Sequence, residues 1–289
     1  MVAGPTVIEL QRFRFIETCL LWEGRIRRRA VSEAFKLSDN HVTREITKYR
    51  KKHSKNLVYD AEKRTWRISP KFVAAYATGD VDEYLTLLHA YALSGDRLVM
   101  LRSGPPVVAE TLPQSVGKIE RAVLREIIVA LKSGHGARVR YQSFSEADPA
   151  ERTLYPHALV FANGRWHVRA YDDRKERFGD FVLTRIIKAK SFTDPAPHPP
   201  SADVGWQEKV TVHVVPTSSL SASQHDAIVR EYGMRQKGGV TSWAVPLRTC
   251  LVKYFLQAHR LDLPDKHANH RRIALLDPKV ASDYAFVDD

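Results

Sequence analysis

Cysteine is almost missing from this chain: Cys19 and Cys250 are the only two in 289 residues. Far apart and without a CxxC spacing, they support neither a disulfide framework nor a zinc site. Cys19 stands among Ile16, Leu20 and Leu21 and reads as a small core residue. No stretch approaches the ~18 apolar residues of a membrane span, and no charged segment followed by an apolar run opens the chain as a leader would. Catalytic signatures are missing too: there is no Walker loop, Gly-x-Ser-x-Gly elbow, HExxH or paired-carboxylate arrangement. His267 and His270 stand in a polar stretch without a carboxylate or Cys at ligand spacing, and read as a plain loop. The expectation is a cytoplasmic protein that is not an enzyme and uses no metal or cofactor. Acidic residues are also short, with 33 Asp and Glu against 45 Lys and Arg. The pI near 9.7 favours a polyanionic partner, although a basic enzyme has the same net charge.

The surplus is concentrated. Residues 1–70 hold 16 Lys and Arg against 8 Asp and Glu, which is two thirds of the chain's net +12. The same residues carry the pattern of a winged helix-turn-helix. A first helix from Thr6 to Trp22 has Phe13, Ile16 and Leu20 at helical spacing and ends at Gly24. A short helix (Ala30 to Phe35) follows, then a turn at Leu37-Ser38 and a second helix from Asp39 to Lys52, with Ser38 or Asp39 as its cap. Val42, Ile46 and Tyr49 share one face of that helix; Asn40, Arg44, Thr47, Lys48 and Lys51 share the other. Arg, Asn and Thr are the residue types that read guanine, adenine and the thymine methyl. Leu57 to Tyr59 and Thr65 to Ile68 alternate as a hairpin, the wing, with Lys63 and Arg64 near its tip. The expected DNA contacts are Arg28, Ser38, Asn40, His41, Thr43, Arg44, Thr47, Lys48, Lys51, Lys63 and Arg64. Arg25, Arg27 and Arg29 add phosphate contacts, which set affinity rather than sequence.

Residues 71–93 predict a helix, with Asp80 and Glu83 as a cap before Tyr84, Leu85, Leu87 and Leu88, 94–117 a Gly- and Pro-rich connector, and Lys118 to Lys132 a second amphipathic helix ended by Gly134-His135-Gly136. From Arg138 the period changes to two. Strands are expected at Arg138–Phe144, Thr153–Phe161, Arg165–Tyr171, Phe178–Thr184 and Ile186–Phe192, with Asn163-Gly164 as a hairpin turn. Five short strands with tight turns suggest a small antiparallel barrel or sandwich. On the third, Trp166, Val168 and Ala170 point one way, toward a core, and Arg165, His167, Arg169 and Tyr171 the other.

Several runs here resemble the WYL domain: Tyr141, Tyr155-Pro156-His157-Ala158-Leu159-Val160, Gly164-Arg165-Trp166-His167-Val168-Arg169-Ala170-Tyr171, and Phe181-Val182-Leu183-Thr184-Arg185-Ile186. The eponymous Trp-Tyr-Leu stands here as Trp166-His167-Val168, a departure from the pattern. The Arg-Trp-His-Val-Arg-Ala-Tyr run is similar to the phage-defence subgroup typified by BrxR and CapW. That resemblance implies an α+β multidomain chain: a winged helix-turn-helix (1–70), a helical connector (71–133), an Sm/SH3-like small β-barrel (134–193) and a C-terminal α+β extension (194–289) for dimerisation or communication. It implies a homodimeric repressor on an inverted-repeat operator in double-stranded DNA, with a nucleotide or single-stranded nucleic acid as effector.

Tyr141, Ser143, Arg152, His157, Arg165, His167, Arg169, Tyr171 and Arg185 are the expected ligand residues, guanidinium for phosphate and aromatic for base. The competing reading is an outer barrel face whose cations pair with Glu151, Asp172 and Asp180. After the prolines at 195–200, strands and helices alternate (Lys209–Val215, Ser221–Tyr232, Val240–Leu247, Thr249–Leu261, Arg272–Leu276), as a small α+β domain does. An activator of the same architecture, or a single-strand-binding accessory protein, fits the residues as alternatives.

Overall fold

The computed structural model describes residues 6–96, 98, 99, 104, 107–112, 117–263 and 271–286; the expected loop at His267 and His270 lies outside them. The chain forms two compact units, Met1–Pro113 and Gln114–Asp289.

In the first unit, helix α1 (Val7–Glu23) starts at a capping box in which Thr6 and Glu9 bond each other's backbone N–H, and stops at Gly24 in the left-handed region (φ 69°). The two-residue strand β1 (Arg25–Ile26) follows, then α2 (Arg28–Phe35) and α3 (Asp39–Lys52). Strands β2 (Leu57–Asp60) and β3 (Thr65–Ile68) make the wing, and β1 joins it in the order β1-β3-β2. The Thr65 hydroxyl donates to the Ile26 carbonyl at 2.7 Å, fastening the wing to β1. Phe13, Ile16, Leu20, Val31, Val42, Ile46, Tyr49 and Leu57 form the core.

The helix expected from residue 71 begins at Val81 (α4, Val81–Ser94). Residues 71–80 cannot coil because three of their N–H groups are taken elsewhere. Ala75, Tyr76 and Ala77 all donate to the carboxylate of Glu17, which is fully buried in α1. Asp80 caps α4 through the N–H groups of Asp82 and Glu83.

In the second unit, α5 (Arg121–Ser133) lays Val123, Ile127 and Ala130 on a five-stranded antiparallel sheet. Its strands are β4 (His135–Tyr141), β5 (Ala150–Ala162), β6 (Arg165–Asp172), β7 (Arg177–Val182) and β8 (Ile186–Pro195), in the order β7-β6-β5-β4-β8. The last strand pairs with the first. Among the described residues no register joins β7 to β8, so the sheet is open where a closed barrel was expected. Gly134 is the C-cap of α5 (φ 71°), but Gly136 already belongs to β4. A Cβ at Gly136 would lie 2.2 Å from the Phe192 ring, so close packing and not a turn requires glycine there.

The sheet is followed by α6 (Val204–Gln207) and a second sheet, β10-β11-β9-β12, from β9 (Lys209–Pro216), β10 (Arg235–Lys237), β11 (Val240–Arg248) and β12 (Ile273–Leu275). Helices α7 (Ala222–Glu231), α8 (Thr249–Ala258) and α9 (Lys279–Asp283) complete this part. Val212, Val214, Ile228, Val252 and Leu256 share its core.

Candidate functional site: a recognition helix and a cationic cavity

Helix α3 buries Val42, Ile46 and Tyr49 and turns the opposite face to solvent. Ser38, Asn40, His41, Thr43, Arg44, Lys48 and Lys51 are exposed on it, and Thr47 is half-buried. Ser38 is the N-cap residue, yet its hydroxyl makes no cap bond. The Thr43 and Thr47 hydroxyls donate back to the carbonyls of Asp39 and Thr43, at 2.9 and 2.8 Å. Lys48 is not a bare cation: its Nζ lies 3.0 Å from Glu9 and 3.4 Å from the buried Glu45. Arg50 lies over the Trp66 ring at 5.0 Å, joining helix to wing. Lys63 and Arg64 are exposed in the wing turn, and Arg27, Arg28 and Arg29 lie exposed after β1. Arg29 is paired with Glu33 at 2.7 Å.

In the second unit a cavity of about 520 Å³ opens against the sheet. Six of the nine residues expected to bind a ligand line it: Tyr141, Ser143, Arg152, Arg165, His167 and Arg185. The other three are elsewhere. The register between β5 and β6 slips between Pro156 and Ala158, and this bulge re-aims His157, which meets Asp203 at 2.9 Å. Arg169 takes both oxygens of Asp203, at 2.7 and 2.8 Å, and Asp180 at 3.2 Å. Tyr171 meets Phe178 edge-to-face and His198 at a tilt.

These three residues hold the sheet to the segment that follows it. Burial opposes the charge of Arg169, but Asp203 and Asp180 more than restore it and raise its pKa. Burial holds the pKa of His157 below its ordinary value, against the pull of Asp203, so the ring is neutral at neutral pH.

The alternation on β6 was expected to separate a core face from an exposed one. Val168 and Ala170 do enter the core, but Trp166 is 47% exposed while His167 and Arg169 are buried at 2% and 6%. The sheet is covered on both faces there, because Tyr254 of α8 packs against His167 at a tilt, with ring centroids 5.1 Å apart. Asp172 and Asp180 serve as counter-ions, as the competing reading expected; Glu146 rather than Glu151 is the third. Arg152 is gripped between Asp172 at 2.7 Å and Glu146 at 3.0 Å.

Sequence reasoning missed the other wall of the cavity: Phe144, Lys253, Tyr254, Gln257 and Phe286. Lys253, Tyr254 and Gln257 are the side of α8 that leaves the apolar stripe, a signal that marks an exposed face and not what it faces. Across the cavity lining, six cations (Arg152, Arg165, Lys175, Arg177, Arg185, Lys253) meet two carboxylates, Asp172 and Asp180. The surplus suits an anion. Among the described residues no group of three or more His, Cys, Asp or Glu is placed to hold a metal, and no helix is long and apolar enough to cross a membrane.

Three family models match the chain in order. Residues 9–90 match the BrxR transcriptional regulator winged helix-turn-helix domain, 122–191 the WYL domain, and 209–287 the BrxR transcriptional regulator C-terminal dimerization domain. A protein of Pseudomonas aeruginosa described as DNA-binding transcriptional repressor CapW is 30% identical over 261 residues, covering 90% of this chain and 85% of its own. The chain belongs to the CapW family. A CapW of Stenotrophomonas maltophilia is 31% identical over 228 residues, covering 78% of this chain and 75% of its own. One of Escherichia coli is 29% identical over the same length, with the same shares. In the terms of the CapW family, α3 and the wing lie in the winged-helix match. The cavity draws Tyr141, Arg152, His167 and Arg185 from the WYL match, and Lys253, Tyr254 and Phe286 from the dimerization match.

Proposed function

We propose that this chain is a homodimeric DNA-binding transcriptional repressor that reads an inverted-repeat operator through α3 and the wing. In this reading it controls a phage-defence operon, and an anionic nucleotide or short nucleic acid in the WYL cavity releases it. The observation that carries the reading is the exposed face of α3. Asn40 and Arg44 stand ready for base edges, and Lys51, Lys63 and Arg28 surround them for phosphates. The CapW relatives, named as DNA-binding repressors, and the dimerization-domain match support it. For release, the ligand must prefer the geometry that does not fit DNA, since equal affinity for both states shifts nothing.

Fluorescence anisotropy on the duplex upstream of the gene, with a scrambled duplex as control and a salt series, is the test. The expected result is tight binding to the native duplex alone, with loss of about 1–3 kcal/mol for Arg44→Ala. Equal, steeply salt-dependent binding to both duplexes would mean phosphate contacts only and would overturn the specific repressor.

A further inference from the structure

The charge of the cavity is layered. Both carboxylates are deep: the Asp172 and Asp180 side chains are each 2% exposed. Arg152 is as deep, its side chain 3% exposed and held by Asp172; the other cations stand further out. Arg165 and Arg185 are half-buried, Lys175 and Arg177 are exposed, and the Lys253 side chain is 29% exposed. Arg165 and Arg185 have no carboxylate partner among the described residues; Arg185 lies flat over the exposed Phe144 ring at 3.7 Å. Between the two layers the wall is aromatic and uncharged, made by Tyr141, Phe181, His167 and Tyr254.

His167 is the unusual member. It is 2% exposed and lines the cavity; its Nδ1 is buried beside the backbone of Val160 and Arg165, without a well-aligned hydrogen bond. Its ring contact is with Tyr254, whose hydroxyl is committed to Asp180 at 3.1 Å. Burial, against the pull of Asp180, holds the pKa of His167 below its ordinary value, so at neutral pH the ring is neutral and both donates and accepts.

A phosphate pushed to this floor would lose its water with no free cation among the described residues to receive it, since Arg152 is held by Asp172 at 2.7 Å and Asp180 already meets Arg169 at 3.2 Å and Lys253 at 3.3 Å. An uncharged heteroaromatic ring meets no such cost there: it stacks on the aromatic wall and offers polar edges to His167. We propose that the cavity takes a nucleotide base-first, with the nucleobase against His167 and Tyr254 and the phosphate outside between Arg165 and Arg185. His167 is then the residue that distinguishes a nucleobase from any other phosphate ester. This rests on the ligand-site reading of the cavity given above and adds orientation and class to it.

Titration calorimetry on the full-length protein tests it, with nucleoside 5′-monophosphates, ribose 5-phosphate and inorganic pyrophosphate as probes. At least one nucleoside monophosphate is expected to bind on the order of tenfold or more tighter than ribose 5-phosphate or pyrophosphate. His167→Phe is expected to erase that advantage, and His167→Gln, which restores a polar edge, to recover part of it. Arg165→Ala and Arg185→Ala are expected to weaken nucleotide and sugar phosphate alike and to flatten the salt dependence. Far-ultraviolet circular dichroism and melting confirm that each variant folds.

Pyrophosphate or ribose 5-phosphate binding as tightly as every nucleotide, or a base preference untouched in His167→Phe, would overturn the orientation while leaving the cavity a ligand site. Failure of every probe to bind, with no effect of the arginine variants, would overturn the ligand-site reading and the orientation with it.

Discussion

Glu17 has no solvent exposure, and its carboxylate accepts from the Tyr49 hydroxyl at 2.8 Å and from the N–H groups of Ala75, Tyr76 and Ala77. Asn56 donates to the same Tyr49 oxygen and grips Val73 through both its backbone groups. One acid thus fastens α3, the root of the wing and the segment 73–77 to α1. Glu17→Ala leaves several buried donors unpaired and is expected to cost on the order of 3 kcal/mol or more in urea unfolding; an unchanged midpoint would show that the donors find water instead. Nothing in the sequence marks this residue, because its neighbours Phe13, Ile16 and Leu20 already explain the helix as a plain core stripe.

The histidines carry a second prediction. His157 and His167 have pKa values held below the ordinary 6.5 by burial. The unfolded chain therefore takes up protons first, and stability must fall as pH drops below about 6.5. The melting temperature followed downward from neutral pH is expected to decline in that window, and less steeply in His157→Asn, which keeps a hydrogen bond to Asp203. A flat profile from neutrality to the carboxylate range would refute the assignment.

At the scale of elements, strong periodicity was legible and competing partners were not. The helices of the winged domain and the wing hairpin appear where spacing put them, since each buries a continuous apolar face. Strands β4 to β8 occur in the expected order, with ends shifted by up to three residues; β4 starts at His135, not Arg138. β1 was missed: two residues have no period, and pairing with β3 makes them a strand. Residues 71–80 were taken as helix because their demand for Glu17 is non-local.

Helix α3 shows the same limit in its charges. Lys48 and Lys51 look equivalent in sequence, but Lys48 already pairs with Glu9 and Glu45. Its pKa is raised, through Glu9 first and then Glu45, as for a cation that is already compensated. Lys51→Ala is expected to lower the slope of log affinity against log salt by about one, and Lys48→Ala by clearly less. Equal slopes for the two variants would mean that DNA draws Lys48 away from its carboxylates.

Across the molecule, the order of parts could be read because each part carries its own pattern: basic helices, period-two strands, then alternating strand and helix. The cavity could not, because its walls lie about seventy residues or more apart, in β7 and α8, joined by Asp180 to Tyr254 and Lys253. Alternation along β6 named His167 and Arg169 together; only the bulge at His157 and the covering helix send one to the cavity and the other to Asp203.

The largest scale carries the last prediction. A homodimer about a two-fold axis presents its two α3 helices in symmetric orientation, so the half-sites of the operator must be inverted and set one helical turn or a multiple apart. Inserting roughly 5 bp between the half-sites turns one of them about half a turn away. Binding to that duplex is expected to fall to the affinity of a single half-site, while an insertion of roughly 10 bp restores part of it. Substitutions at Arg44 should weaken both halves of the footprint equally, as one chain contributes to each. Indifference to the half-turn insertion would mean that the two winged helices bind without a fixed spacing. Release by a ligand could not then act by changing that spacing, and the effector would have to alter the α3 surface of each chain directly.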